Sequence, residues 1–259
     1  MKKIAIGALL ALVAAIPAQA ADMPVKAAPL VALYNWSGFY IGGNLGYSWG
    51  RSSTDLTSSI AGVTTSGSLD MDGWVGGGQI GVNWQTGATV WGLEADIQAT
   101  GQKGSASANC PTGVCVLRTA IDATWEHKLT WLATFRGRLG WTVTPTTLFY
   151  VTGGLAVGEV KTDATLTTTL NSNPPTVTSA SGSSSSTKTG WTVGAGIETA
   201  LGASNWTGKV EYLYVDLGSN SNTVTAALPL PPPTSITVTT NSRFTDHIFR
   251  VGLNYRFGR

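Results

Sequence analysis

Near its end the chain sets Phe249, Val251, Leu253, Tyr255 and Phe257 in alternation with Arg250, Gly252, Asn254 and Arg256. Successive side chains of a strand point to opposite faces, so a two-residue period predicts a β-strand with one oily and one polar side. The same rhythm runs through Phe39, Ile41, Leu45 and Tyr47, and through Trp91, Leu93, Ala95 and Ile97. It returns in Trp131, Ala133, Phe135 and Leu139, and in Val193, Ala195, Ile197 and Leu201. Eight strands are predicted, at about 36–50, 71–83, 88–101, 128–142, 147–161, 188–201, 205–217 and 244–258.

The connections alternate in length. Short ones fall near 84–87, 143–146 and 202–204, and long ones occupy about 51–70, 102–127, 162–187 and 218–243. Short turns on one side and long loops on the other, with an even strand number, form the pattern of a barrel that crosses a membrane. The predicted fold is therefore all-β: an eight-stranded antiparallel up-and-down transmembrane β-barrel with four long outer loops and three short periplasmic turns. A soluble β-sandwich also alternates, with its oily face inward. It gives no reason for charged residues to gather beside glycine on the opposite face.

Tryptophans bracket these strands. Trp36, Trp84, Trp141 and Trp206 fall near the short-turn ends, and Trp49, Trp74, Trp131 and Trp191 near the long-loop ends. An indole suits a membrane boundary because its body is apolar and its N–H reaches water. All eight are expected at the interface. Strand parity turns Glu94, Asp96, Arg136, Arg138, Glu198, Lys209, Glu211, Arg250 and Arg256 inward, among glycines such as Gly42, Gly46, Gly92, Gly154 and Gly194. Eight strands enclose a space that side chains roughly fill. Buried charges need partners, so an internal ion-pair network is expected, with Glu94 and Asp96 facing Arg136 and Arg138, Glu198 opposite Lys209, and Glu211 beside Arg250.

Composition narrows the class. Charged residues make up 12% of the chain, against roughly 25% in a typical soluble domain. Lys2, Lys3, the apolar run from Ile4 to Ile16 and the small-residue site Ala18-Gln19-Ala20 read as a cleaved signal peptide over 1–20. A periplasmic segment over 21–35 and a barrel domain over 36–259 then follow. Without Lys2 and Lys3 the basic residues fall from 16 to 14, equal to the 14 acidic ones, and no basic patch suggests nucleic acid. Cys110 and Cys115 are close together in an exported chain, where a local disulfide is expected rather than a zinc pair.

No cofactor, metal or catalytic set is expected. The run 76–81 fits a dinucleotide fingerprint formally, but it sits in a two-residue rhythm without a following helix. Glu126-His127 and Asp246-His247 near the outer rim could serve a hydrolase, yet no nucleophile elbow accompanies them.

Together the runs Trp36-Ser37-Gly38-Phe39-Tyr40-Ile41-Gly42-Gly43-Asn44, Gly76-Gly77-Gly78-Gln79-Ile80-Gly81-Val82-Asn83-Trp84-Gln85 and Val90-Trp91-Gly92-Leu93-Glu94-Ala95-Asp96 open a series. Tyr150-Val151-Thr152-Gly153-Gly154-Leu155-Ala156, Gly190-Trp191-Thr192-Val193-Gly194-Ala195-Gly196, Glu211-Tyr212-Leu213-Tyr214-Val215-Asp216-Leu217 and Arg250-Val251-Gly252-Leu253-Asn254-Tyr255-Arg256-Phe257 complete it. In that order the chain resembles the small outer-membrane β-barrel (porin-family) surface proteins of alphaproteobacteria, related to the OmpA transmembrane barrel. The resemblance implies a structural, surface-exposed outer-membrane protein without catalytic residues. It also implies as partners outer-membrane lipids, lipopolysaccharide and the barrel-assembly machinery, which would read Tyr255 and Phe257 as the terminal signal. Family strands usually finish on that aromatic, whereas this chain continues with Gly258 and Arg259. The competing expectations are a narrow small-solute channel and a receptor that uses its loops; the nearly uncharged loops identify no partner.

Overall fold

The computed structural model describes residues 34–58, 64–110, 119–171, 174–228 and 234–257. Its strands are β1 (Gly38–Ser58), β2 (Thr64–Thr86), β3 (Thr89–Thr100), β4 (Lys103–Cys110), β5 (Thr119–Thr144), β6 (Thr147–Leu170), β7 (Thr176–Ala200), β8 (Trp206–Leu228) and β9 (Thr234–Arg256). Eight of them close a ring, β1-β2-β3-β5-β6-β7-β8-β9, whose seam is β9 against β1, from Tyr40↔Arg256 outward. Every pair is antiparallel. Closure leaves no open sheet edge within the ring.

The expected outward row is outward. Phe39, Ile41, Leu45, Ile97, Phe135, Leu155, Ile197, Val251 and Leu253 are exposed, Phe39 by 68%. So wide an oily surface is what a barrel presents to lipid. The three short turns also stand, with Gly87 and Gly202 at φ 60° and 65° supplying the left-handed backbone that the β2–β3 and β7–β8 connections require.

The four long loops need correcting. Much of 51–70, 102–127, 162–187 and 218–243 is strand, and β6 alone runs 24 residues, more than twice the ~9–11 needed to cross a membrane. Runs such as Thr162–Leu170 are rich in Thr, whose branched Cβ favours a pleated backbone. Beyond the membrane the ring divides. β7 pairs β8 only as far as Trp191↔Asp216, and β2 touches β4 only at Asp72↔Lys103. Two four-stranded ribbons continue outward, β8-β9-β1-β2 and β4-β5-β6-β7.

The ninth strand, β4, continues the line of β3 along β5 after a break at Gly101-Gln102. There Gly101 N–H donates to Trp74 O (2.9 Å) and Leu129 N–H to Gln102 O (3.2 Å), opposite a bulge between Leu129 and Trp131. The signal peptide and most of segment 21–35 lie outside the described residues, as do Cys115 and therefore the expected disulfide.

Candidate functional site

The interior is stacked in layers along the barrel axis. Nearest the short turns, the segment ahead of β1 enters the mouth and buries Trp36 completely among Tyr34, Val90, Leu148 and Ala200. Gln85 Oε1 accepts from Trp36 N–H (2.7 Å), and Tyr34 N–H donates to Pro145 O (3.1 Å). Trp36 is thus not an interface aromatic. The chain turns inward before β1 begins, and the indole fills the mouth instead of meeting lipid. Of the other seven, Trp49, Trp74, Trp84, Trp141, Trp191 and Trp206 are exposed on the wall and Trp131 is half-exposed.

Arg256 departs from expectation in a related way. Its guanidinium donates to the carbonyls of Trp36 and Ser37, the latter at 3.2 Å, and lies 5.2 Å from the centre of the Trp36 ring. Among the described residues it forms no ion pair within 4 Å. It holds the inserted segment rather than joining the charge network, because the carbonyls at the mouth are nearer than the carboxylates of the layer above.

That next layer holds the other eight predicted charges. Arg136 Nη1 donates to Glu211 Oε1 (3.0 Å), while Nη2 donates to Asp96 Oδ2 (2.8 Å) and to Glu94 Oε1. Arg250 pairs with Glu211 (2.6 Å) and Asp96 (3.3 Å), and Lys209 Nζ with Glu94 Oε1 (3.0 Å). Arg138 pairs with Glu198 (2.7 Å) and stacks 3.9 Å from the centre of the Tyr150 ring. All eight side chains are almost completely buried.

The expected strand neighbours are in register: Glu94↔Arg136, Glu198↔Lys209 and Glu211↔Arg250. The ion pairs do not all follow those neighbours. Lys209 on β8 bonds Glu94 on β3, and Arg250 on β9 bonds Asp96 on β3, so charge is matched across the lumen. Neutral groups complete the network, and the sequence reading missed them. Tyr40 O–H donates to Glu94 Oε2 (2.7 Å), Tyr150 O–H to Glu211 Oε1 (3.0 Å), Thr134 O–H to Asp96 Oδ2 (2.7 Å) and Thr207 O–H to Glu198 Oε1 (2.6 Å). Parity could have found both tyrosines, since the neighbours Phe39, Ile41, Phe149 and Val151 all point outward. The inward glycines make room for these rings: a Cβ on Gly81 would lie 2.3 Å from Tyr40 Cζ, and one on Gly196 2.6 Å from Tyr150 Cζ.

Toward the long-strand end the interior becomes apolar. Met71, Val75, Leu129, Leu132, Ala156, Val160, Leu213, Val215, Leu217, Phe244 and Ile248 pack together there, and the expected inward set named none of them. Asp246 sits beside this layer, fully buried, accepting at Oδ1 from Gln102 Nε2 (2.8 Å). The break between β3 and β4 is what brings Gln102 inside to meet it.

The two histidines are separate. His127 shares a 3.1 Å hydrogen bond with Thr162 Oγ1, whereas His247 shares one of 2.6 Å with the Tyr212 hydroxyl on the outer wall. Neither is joined to a serine among the described residues. Tyr255 and Phe257 lie edge to face with ring centres 5.2 Å apart, and Phe257 is exposed.

A family described as outer membrane protein beta-barrel domain matches residues 6–257. The 31 kDa outer-membrane immunogenic protein of Brucella melitensis is 37% identical, over 99% of this chain and all of its own. The 22 kDa outer membrane protein of Rhizobium leguminosarum is 32% identical over 74% of this chain and 69% of its own. Among solved structures, Ail, the attachment invasion locus protein of Yersinia pestis, aligns over 80% of this chain and 98% of its own at 15% identity, with a TM-score of 0.28.

Proposed function

Because the chain belongs to the outer membrane protein beta-barrel domain family and therefore lies in the outer membrane, we propose that it works there as a structural, surface-exposed protein whose lumen is closed. The observation that carries this reading is the set of ion pairs that crosses the lumen, from Lys209 to Glu94 and from Arg250 to Asp96. Removing an ion from water costs several kcal/mol, recovered only when geometry and further hydrogen bonds are good. Each of the four carboxylates in this layer has cations and neutral donors arranged around it, so none depends on lumenal water. An apolar layer above and the Trp36 segment below close the two ends.

Such a barrel contributes to the envelope by occupying it stably and by presenting its ribbons outside. The wall is recognised by outer-membrane lipids and lipopolysaccharide, and the end of β9 with Tyr255 and the following Phe257 by the barrel-assembly machinery. The immunogenic naming of the Brucella relatives is in keeping with surface display, and no catalytic step is assigned.

The test is single-channel recording in planar bilayers, after a gel of unheated sample has established that the barrel is folded. A closed lumen gives no steady conductance. A stable open level in the unaltered protein would instead favour the small-solute channel, with the same charges at its constriction.

A further inference from the structure

Cations and carboxylates inside the barrel do not balance at every level. Arg136, Lys209 and Arg250 meet Glu94, Asp96 and Glu211, three against three. Toward the short turns, Glu198 stands against both Arg138 and Arg256. Its oxygens already accept from Arg138 (2.7 Å), Thr207 (2.6 Å) and Asn254 (3.0 Å). The two guanidiniums are near enough to repel each other. Asp246, the other buried inward carboxylate, lies away from them beside the apolar layer.

Four donors around this excess charge have no hydrogen-bond partner among the described residues: Trp36 Nε1, Asn83 Nδ2, Arg138 Nε and Arg256 Nη1. All four side chains are almost completely buried. The Arg256 guanidinium lies 5.2 Å from the centre of the Trp36 ring. Asn83 and Arg138 flank Gly92 in register on its two neighbouring strands, and a Cβ on that glycine would lie 2.3 Å from Asn83 Oδ1, which is also unpartnered. Trp36 is tied to the strand of Asn83 through Gln85, the next inward residue of β2. Buried donors are nearly always satisfied in native proteins, because leaving one unpaired is costly. Four of them beside an uncompensated cation point to an anion.

We propose that the band between the inserted Trp36 and the charge layer binds one small monovalent anion, a halide. A single negative charge balances Glu198 against Arg138 and Arg256. It accepts charge-assisted bonds from the guanidinium N–H groups and further bonds from the indole and the amide. A charge is held away from water only where such partners offset its desolvation. A halide suits the band better than an oxyanion. It is one atom that accepts from any direction, whereas a carboxylate or phosphate needs room for several atoms among side chains already buried. The route in is from the short-turn end, where a polar recess of about 260 Å³ is lined by Tyr34, Asn35, Gln85 and Gly87. Held there, the anion ties the indole to β2, β5 and β9, and closure of the inner mouth depends on halide.

The test is urea unfolding of the folded full-length protein in detergent, in sodium chloride and in sodium gluconate of equal concentration. The midpoint should be higher in chloride and should level off along the saturating curve of a ligand bound by the folded state alone. Trp36→Phe keeps an aromatic ring in the mouth and removes the N–H. It should weaken chloride about tenfold, equivalent to about 1.4 kcal/mol, and Asn83→Leu should do the same. Trp206→Phe, on the exposed wall, should leave the chloride dependence unchanged. Crystals grown in bromide should show an anomalous-scattering peak in contact with Trp36 Nε1 and Arg256 Nη1. Heat-modifiable gel mobility checks folding; either inner variant suffices for the comparison, and the bromide peak decides if neither folds. Equal midpoints in chloride and gluconate, a chloride dependence that both inner variants retain, or bromide confined to the protein surface would overturn the proposal. Conductance of the same samples reads the closed lumen separately, so either reading can fail alone.

Discussion

Lys209 reaches past its own strand neighbour Glu198 and bonds both oxygens of Glu94 across the barrel, at 3.0 and 3.1 Å. Glu198 is left to Arg138. The interior is therefore one coupled set of charges, and removing any member exposes several others.

Glu94→Gln should be the most damaging single change in this layer. It withdraws the anion shared by Arg136 and Lys209, and breaking a buried pair costs about 3–5 kcal/mol. A urea titration of the folded barrel should show the midpoint falling sharply. Adding Lys209→Met should recover part of the loss; if the two losses simply add, the pair is not coupled.

Trp36→Ala should both destabilise the barrel and open its inner mouth. Deleting a buried aromatic costs about 3–5 kcal/mol, whereas Trp206→Ala, on the exposed wall, should cost clearly less. Ion flicker in Trp36→Ala but not in Trp206→Ala is the expected recording; identical traces would mean that the segment does not close the mouth.

Gly81→Val should disturb the network without touching a charge. The added Cβ would lie 2.3 Å from the Tyr40 ring, so the ring must leave Glu94. Overpacking of this kind costs about 1–3 kcal/mol. Gly81→Val in a Tyr40→Ala background should be milder, and equal losses in the two backgrounds would discount the contact.

His127, on the β4-β5-β6-β7 ribbon, supplies a pH test. Partial burial and the nearby Lys188 ammonium hold its imidazole below the ordinary histidine range. The unfolded chain therefore binds the proton more readily than the folded one, so stability rises with pH between the lowered folded value and about 6.5. That stabilisation is present above the window and lost as pH falls through it. Amide exchange of the β5–β6 ribbon should quicken on acidification across this range, and His127→Gln should flatten the response. An NMR titration midpoint above the ordinary histidine value would reverse the sign and reject it.

Much of the wall was legible because a strand has a period of two: once Phe249 and Val251 are assigned to lipid, Arg250 can only face inward. Register between neighbours was legible too, since the turn near Gly202 fixes Glu198 opposite Lys209. Contacts across the lumen were not, because they depend on how the ring closes, which no local pattern records. Trp36 was misread for a related reason. An indole near a strand start suits the lipid boundary or the mouth equally well, and only the backbone direction before Gly38 distinguishes them. The ribbons were hidden by composition, since Ser, Thr and Gly serve exposed strand and loop alike.

Bonds such as Lys209–Glu94 act as struts across the tube's diameter. An unbraced cylinder under lateral pressure flattens into an ellipse at little cost, but here ovalisation would pull charges apart in a medium that screens them poorly. The cross-section is held from within, so the lipid around it can thin, thicken or tense while the bore keeps its shape.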